Sequence, residues 1–163
     1  MTSLKILRYY GGSDHEVADF ILDIQRSDVG LVVPIGEQPD LLDIARAYRN
    51  GAFWLATEGD TIVGTVGMVT YGKIAVLKKL FVDTRHRGPG GAALPLLEAC
   101  LQWAREHGLN EVVLDTPAIA RRSHAFYRRQ GFELADRSVL PPGYTFPDRE
   151  SLVFRLEIER PGG

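Results

Sequence analysis

Cysteine is nearly absent from the sequence: Cys100 stands alone among 163 residues, so no internal disulfide can form, and no cysteine–histidine grouping has metal-ligand spacing. Thiol redox chemistry and a metal cofactor are therefore not expected. Long apolar runs are missing too. The longest, such as Gly30 to Ile35, fall far short of the ~18–20 residues of a membrane span, and the first residues lack the basic-then-apolar pattern of a signal segment. A cytoplasmic chain with no membrane partner is expected. No basic patch interleaved with aromatics is present, which argues against nucleic acid as a partner. The net charge is only -2, but it hides an asymmetry: residues 1–60 hold ten acidic and five basic side chains, and residues 61–163 hold eleven acidic and fourteen basic. That division suits a polyanionic ligand on the later part and a cationic one near the earlier part. Solvated helix faces bearing Asp14, Asp19 and Asp23 would give the same counts.

With 45% hydrophobic and 25% charged residues the composition is that of an ordinary globular protein, and residues 1–163 read as one domain. Leu4 to Tyr10 is rich in strand formers, and Gly11-Gly12 ends it before Ser13-Asp14-His15-Glu16, the pattern of a capping box. Val17, Phe20, Ile21 and Ile24, then Leu41, Ile44, Ala45 and Tyr48 after Pro39, predict two helices by their spacing. Ala52 to Thr57, Thr61 to Val69 and Ile74 to Val82 predict an antiparallel meander of three strands, with Gly59-Asp60 at the first turn. Leu94, Leu97, Leu101 and Ala104 then mark a helix ending near His107-Gly108. Glu111 to Asp115 reads as a strand, Ile119 to Arg129 as a helix closed by Gly131, and Phe132 to Val139 and Leu152 to Ile158 as strands separated by a loop over Pro141 to Arg149. The fold class is α/β of the α+β kind: a mixed, mostly antiparallel sheet of six to seven strands flanked by about four helices, with one clear parallel crossover.

One segment carries chemistry. Leu80-Phe81-Val82-Asp83 ends a strand, and Arg87-Gly88-Pro89-Gly90-Gly91-Ala92 opens a helix, so backbone amides and the positive end of a helix dipole converge where an anion would sit. Small residues let a pyrophosphate approach the backbone, and Arg85 and Arg87 could add charge-assisted bonds. A P-loop is excluded, because Gly91-Ala92-Ala93 stands where Gly-Lys-Ser/Thr is needed. A dinucleotide fingerprint stays open: Gly88, Gly90 and Ala93 fit its tolerant form, and Asp115 ends the next strand where a ribose-binding acid would lie. The meander preceding the turn speaks against it.

The stretch LKKLFVDTRHRGPGGAALPLLEACLQWAREHGLNEVVL resembles the acetyl-CoA-binding motif of the GNAT N-acetyltransferase superfamily, with Arg87, Gly90 and Ala92 at the motif's Arg/Gln, Gly and Gly/Ala places. Downstream, RSHAFYRRQGFE resembles the family's second motif. The resemblance implies acetyl transfer from acetyl-CoA to an amine, expected to be a small molecule, with a possible homodimer. It places Tyr127 as the acid that protonates the CoA sulfur and Leu80, Phe81 and Val82 on a disturbed strand that binds the pantetheine arm. Consecutive Lys78 and Lys79 fit such a strand, since a regular one would send one lysine to each face. The pyrophosphate cradle would use amides at Gly88, Gly90, Gly91 and Ala92, Pro89 having none. Ser123, one turn before Tyr127, could face the cofactor. The sequence departs from the family at Val76, where relatives often carry a glutamate base, and at Ala120, where an Asn is common. A catalytically silent acyl-CoA-binding module therefore stands as an alternative. Cys100 reads as packing, His86 and His124 as surface residues, and Arg121, Arg122, Arg128 and Arg129 either as solvated or as contacts for the CoA 3'-phosphate. The acidic early helices and the Tyr144-Thr145-Phe146 loop are expected on the acceptor side.

Overall fold

A computed structural model of the chain describes residues 3–29, 33–144 and 150–159. Among these residues seven strands form one sheet: β1 (Leu4–Arg8), β2 (Gly51–Glu58), β3 (Thr61–Tyr71), β4 (Ile74–Val82), β5 (Glu111–Pro117), β6 (Glu133–Ala135) and β7 (Ser151–Glu157), ordered β1-β2-β3-β4-β5-β7-β6. Every neighbouring pair is antiparallel except β4 and β5. The local reason is connection length. Gly59 and Gly72, both in the left-handed region, turn β2 into β3 and β3 into β4 within two residues, whereas β4 reaches β5 only through a helix and must return parallel.

Among the described residues four α-helices cover the sheet: α1 (Asp14–Ile24), α2 (Ile44–Ala47), α3 (Ala93–Glu106) and α4 (Arg121–Arg129). On one face, Leu96, Leu97 and Cys100 of α3 and Tyr127 of α4 pack on Leu114 and Phe154. On the other, Val17 and Ile21 of α1 and Ile44 of α2 pack on Phe53 and Leu55. Adjacent Phe53 and Trp54 serve opposite cores, as strand alternation requires. No helix among the described residues is long and apolar enough to cross a membrane.

Three local expectations give way to competing partners. Ser13 makes no side-chain cap bond. Its amide instead donates to the Tyr9 hydroxyl at 2.8 Å, and that hydroxyl donates to Asp14; burial and Asp14 push the Tyr9 pKa up to about 12. The helix expected after Pro39 splits into a 3-10 turn, Pro39–Leu42, and the single turn of α2, because the Asp43 carboxylate accepts from the Arg46 amide and starts a new helix. The strand expected over Phe132 to Val139 shortens to β6. Asp136 ends it by capping the 3-10 turn Arg137–Val139 through the Ser138 amide at 2.9 Å. Of the apolar run from Gly30 to Ile35, residues 30–32 lie outside the described residues.

Candidate active site at the parting of two strands

Strands β4 and β5 pair only from Ile74–Glu111 to Val76–Val113, although β4 runs on to Val82 and β5 to Pro117. Each keeps its outer neighbour, β3 or β7, so their facing edges part. A bulge in β4 accompanies the parting. Lys79 has φ 58°, and the pairing with β3 slips between Gly67–Lys78 and Thr65–Phe81. Fully buried Thr65 fastens the bulge by donating from its hydroxyl to the Lys79 carbonyl at 2.7 Å. The extra residue places Leu80 against the α3 core and Phe81 against the α1 core, so alternation resumes beyond it. The adjacent lysines thus mark a disturbed strand, as their pattern predicts. Lys79 Nζ donates to Gln38 Oε1 at 2.8 Å and lies 3.9 Å from Asp40. Burial lowers the Lys79 pKa, against the opposing pull of Asp40.

At the far end of β4 the chain makes a 3-10 turn, Thr84–His86, capped by Asp83 through the Arg85 amide at 3.0 Å; that bond holds the Asp83 carboxyl below its usual range. The glycine turn follows. Gly88 and Gly90 have φ 74° and 77°, and a Cβ on Gly91 would lie 2.1 Å from the His86 carbonyl oxygen. These glycines are therefore required by the turn's own geometry, beyond any need to admit a phosphate. Two of the four amides expected to cradle an anion close the turn instead: Gly91 donates to Gly88 O at 2.9 Å and Ala92 to His86 O at 2.7 Å. Among the described residues the amides of Gly88, Gly90, Ala93 and Leu94 have no hydrogen-bond acceptor within the protein. They surround the N-terminus of α3, whose first turn carries no acidic side chain, a setting suited to an anion. Pro95 falls in that first turn, where its missing N–H costs no helical bond. The Arg87 guanidinium donates from Nε and an Nη to the Val82 carbonyl at 3.0 and 2.9 Å, and so braces the strand end. Arg85 is exposed, 3.6 Å from Asp83.

Tyr127 is buried on the α3–α4 side, its ring 5.6 Å from Phe126, 5.5 Å from Phe132 and 6.0 Å from Phe154. Burial raises its pKa well above the ordinary phenol value, with Cys100 and Asp115 adding to the rise, so the hydroxyl stays protonated. Ser123 is half-buried one turn earlier on α4. Val76 is fully buried in the sheet and supplies no base.

On the opposite face a polar cluster assembles from distant segments. Tyr144 donates its hydroxyl to Asp115 and meets Tyr71 edge-on with ring centroids 6.5 Å apart. Tyr48 donates to Asp40 at 2.7 Å. Burial, then the neighbouring carboxylates, raise the pKa of both tyrosines. Tyr144 is where the acceptor side was expected; Thr145 and Phe146 lie outside the described residues. The sequence pattern marks Tyr48 only as a helix-face residue and Asp115 only as a candidate ribose ligand, and gives Asp40 no role. The eight-residue interval from Asp40 to Tyr48, one face of a helix, was their only local signal.

Two histidines expected at the surface are enclosed. His124 is 6% exposed, hydrogen-bonded to the Pro117 carbonyl at 2.9 Å and tilted over Phe154, which arrives from β7. His86 pairs with Glu58 at 3.1 Å and ties the glycine turn to β2. Cys100 is fully buried, and burial raises its thiol pKa, as suits a packing residue. Arg121, Arg122, Arg128 and Arg129 are exposed on α4, Arg128 lying 5.5 Å over the Phe154 ring. An open groove between β1 and α3, around Arg8, Trp54 and Arg105, holds none of these site residues.

Comparison with known proteins agrees with this architecture. The family model described as "Acetyltransferase (GNAT) family" matches residues 18–132. A mouse protein, "Probable N-acetyltransferase family 8 member 5", is 36% identical over 104 residues, which cover 59% of this chain and 45% of that protein. The chain spans about half the length of the curated relatives it matches. A crystal structure of an acetyltransferase from Streptococcus agalactiae superimposes with TM-score 0.84 at 32% identity, over 95% of this chain and 98% of that one. The PaiA N-acetyltransferase of Thermoplasma acidophilum, solved in complex with coenzyme A, shares the fold with TM-score 0.71 at 14% identity, over 95% of this chain and 99% of that one. A dinucleotide-binding fold is thereby set aside: the strands before the glycine turn form an antiparallel meander. With the parted strands, the glycine turn and the matched model all in one sheet, the chain belongs to the GNAT acetyltransferase family.

Proposed function

We propose that this protein transfers the acetyl group of acetyl-CoA to a primary amine of a small molecule by direct attack. The observation that carries this reading is the parting of β4 from β5 after Val76 and Val113, with Tyr127 on one side and an acidic, tyrosine-lined cluster on the other. The pyrophosphate would lie at the amides of Gly88, Gly90, Ala93 and Leu94, with Gly91, Ala92 and Arg87 shaping that turn. The pantetheine amides would pair with the unmatched edge at Leu80, Phe81 and Val82, as a strand pairs with a sheet edge, and Ser123 would line the same channel. Amine attack needs a neutral nitrogen and a proton for the departing thiolate. Tyr127, held neutral by burial, supplies that proton. Acceptors that arrive as ammonium ions suit the carboxylates of Asp40 and Asp115.

Purified protein incubated with acetyl-CoA and a panel of primary amines, with released thiol followed spectroscopically, tests the reading. Acceptor-dependent thiol release supports it. CoA binding with no turnover on any amine would favour the silent acyl-CoA-binding module, motivated by the valine at position 76.

A further inference from the structure

We infer that Asp115, held by Tyr144, is the base that receives the acceptor's ammonium and takes its proton; this rests on the amine-acetylation reading above. Asp115 lies two residues past Val113, the last β5 residue paired with β4. Strand alternation puts it on the face opposite Leu114, which packs in the core shared with Tyr127. It therefore stands at the first point where the parted strands open β5 to the acceptor side. Its surroundings are defined from each element packed near it. Tyr144, from the loop before β7, donates its hydroxyl to the carboxylate. Tyr71, at the end of β3, packs on the Tyr144 ring. Lys79 of the β4 bulge and Tyr127 of α4 both lie within its electrostatic reach. Among the described residues, Asp115 is thus the carboxylate that both the bulge and the phenol sense. Asp40, the other acidic side chain near Lys79, lies 3.9 Å from that lysine and stands in the 3-10 turn Pro39–Leu42, on neither of the two parted strands.

The proton balance closes with these two groups. The acceptor ammonium gives one proton to Asp115. The freed lone pair forms the C–N bond at the thioester carbonyl, and the C–S bond breaks as Tyr127 gives its phenolic proton to sulfur. The second proton shed by nitrogen as the amide forms returns Tyr127 to its neutral state, and the Asp115 proton leaves to water. One ammonium and one acetyl-CoA yield one amide, one CoA thiol and one proton. Tyr144 orients the carboxylate and is a positioning residue.

The test compares kcat/KM against pH for the wild type, Asp115→Asn and Tyr144→Phe, using the best amine of the panel. The wild type should reach its plateau well below the pKa of the free amine. Asp115→Asn should be slower by about 10²–10³-fold near neutrality, within the usual range for a lost general base. It should then rise tenfold per pH unit toward the amine's own pKa, about 10.4 for a lysine-like acceptor, closing the gap at high pH. Its melting temperature should still rise with acetyl-CoA as the wild type's does. Tyr144→Phe should lower kcat while leaving the KM for acetyl-CoA unchanged, because the carboxylate loses the hydroxyl that orients it. An Asp115→Asn profile that matches the wild type, or lies below it by the same factor at every pH, overturns the assignment. So does a Tyr144→Phe variant whose kcat is unchanged. If the wild type acetylates no amine at all, the amine-acetylation reading falls and takes this base with it; an active wild type with an indifferent Asp115→Asn rejects the base alone.

Discussion

Tyr127 is both a core aromatic and the proposed acid, and the two roles have different signatures. Its ring packs among Phe126, Phe132 and Phe154, so removing the hydroxyl alone leaves the packing in place. Tyr127→Phe should fold with a nearly unchanged melting temperature and an unchanged KM for acetyl-CoA, while kcat falls by about 10²-fold, the low end of the range for a lost general acid. Because burial raises the phenol's pKa, the proton donor stays protonated and neutral as pH rises through the ordinary tyrosine value. A tyrosine acid in this setting gives kcat no falling limb below about pH 10, the unperturbed value. A pH profile of kcat that falls earlier would remove Tyr127 from this role. The glycine turn separates conformational from steric demand in the same way. Gly88 has open space around a would-be Cβ but a left-handed φ, so Gly88→Ala should cost about 1–2 kcal/mol and lower the melting temperature by several degrees while acetyl-CoA still binds. Gly91→Ala pushes a Cβ against the fixed His86 carbonyl, which no rotamer change can relieve. It should lose acetyl-CoA binding, read by titration calorimetry.

The bulged strand β4 joins the donor and acceptor sides, and its shape rests on a bond from the strand beside it. Thr65→Val keeps the volume but leaves the Lys79 carbonyl without the hydroxyl that reaches it. Leaving a buried acceptor unpaired costs about 1–3 kcal/mol. The bulge should relax toward regular pairing, so the KM for acetyl-CoA should rise more than kcat falls; a variant with unchanged KM would show that the bulge holds without Thr65. How much of this element was legible follows from its residues. Lys78-Lys79 announced a disturbed strand because alternation is a local rule, and the glycine turn was legible because left-handed backbone needs glycine. The length over which β4 and β5 part was not legible, because it depends on pairings made with β3 and β7. The capping box at Ser13 did not close because the Tyr9 hydroxyl, four residues earlier, takes the Ser13 amide that the Glu16 side chain would have bonded. His124 looked like a surface residue because Phe154, which covers it, arrives from β7, thirty positions downstream. Asp40, Tyr48, Lys79, Asp115 and Tyr144 come from separate segments, and no window of sequence contains them together.

At the scale of the whole molecule, a ligand held between two strand edges and the start of α3 binds only the folded chain, so its affinity must appear as stability. At a free concentration of about 100 times its Kd, acetyl-CoA should stabilise the native state by about 2.7 kcal/mol. For a chain of this length that corresponds to a rise in melting temperature of roughly 5–10 °C, at about 2–4 °C per kcal/mol. Among the variants discussed, the rise should survive in Asp115→Asn and Tyr127→Phe, which leave the glycine turn untouched, and disappear in Gly91→Ala. NAD and NADP at matched concentrations should give no comparable rise, because the strands before the glycine turn form an antiparallel meander and not the parallel crossovers of a dinucleotide-binding fold. A melting temperature that rises with NAD and not with acetyl-CoA would refute the donor assignment at its root. A rise with acetyl-CoA that persists in Gly91→Ala would move the pyrophosphate away from the α3 N-terminus while leaving the donor's identity intact.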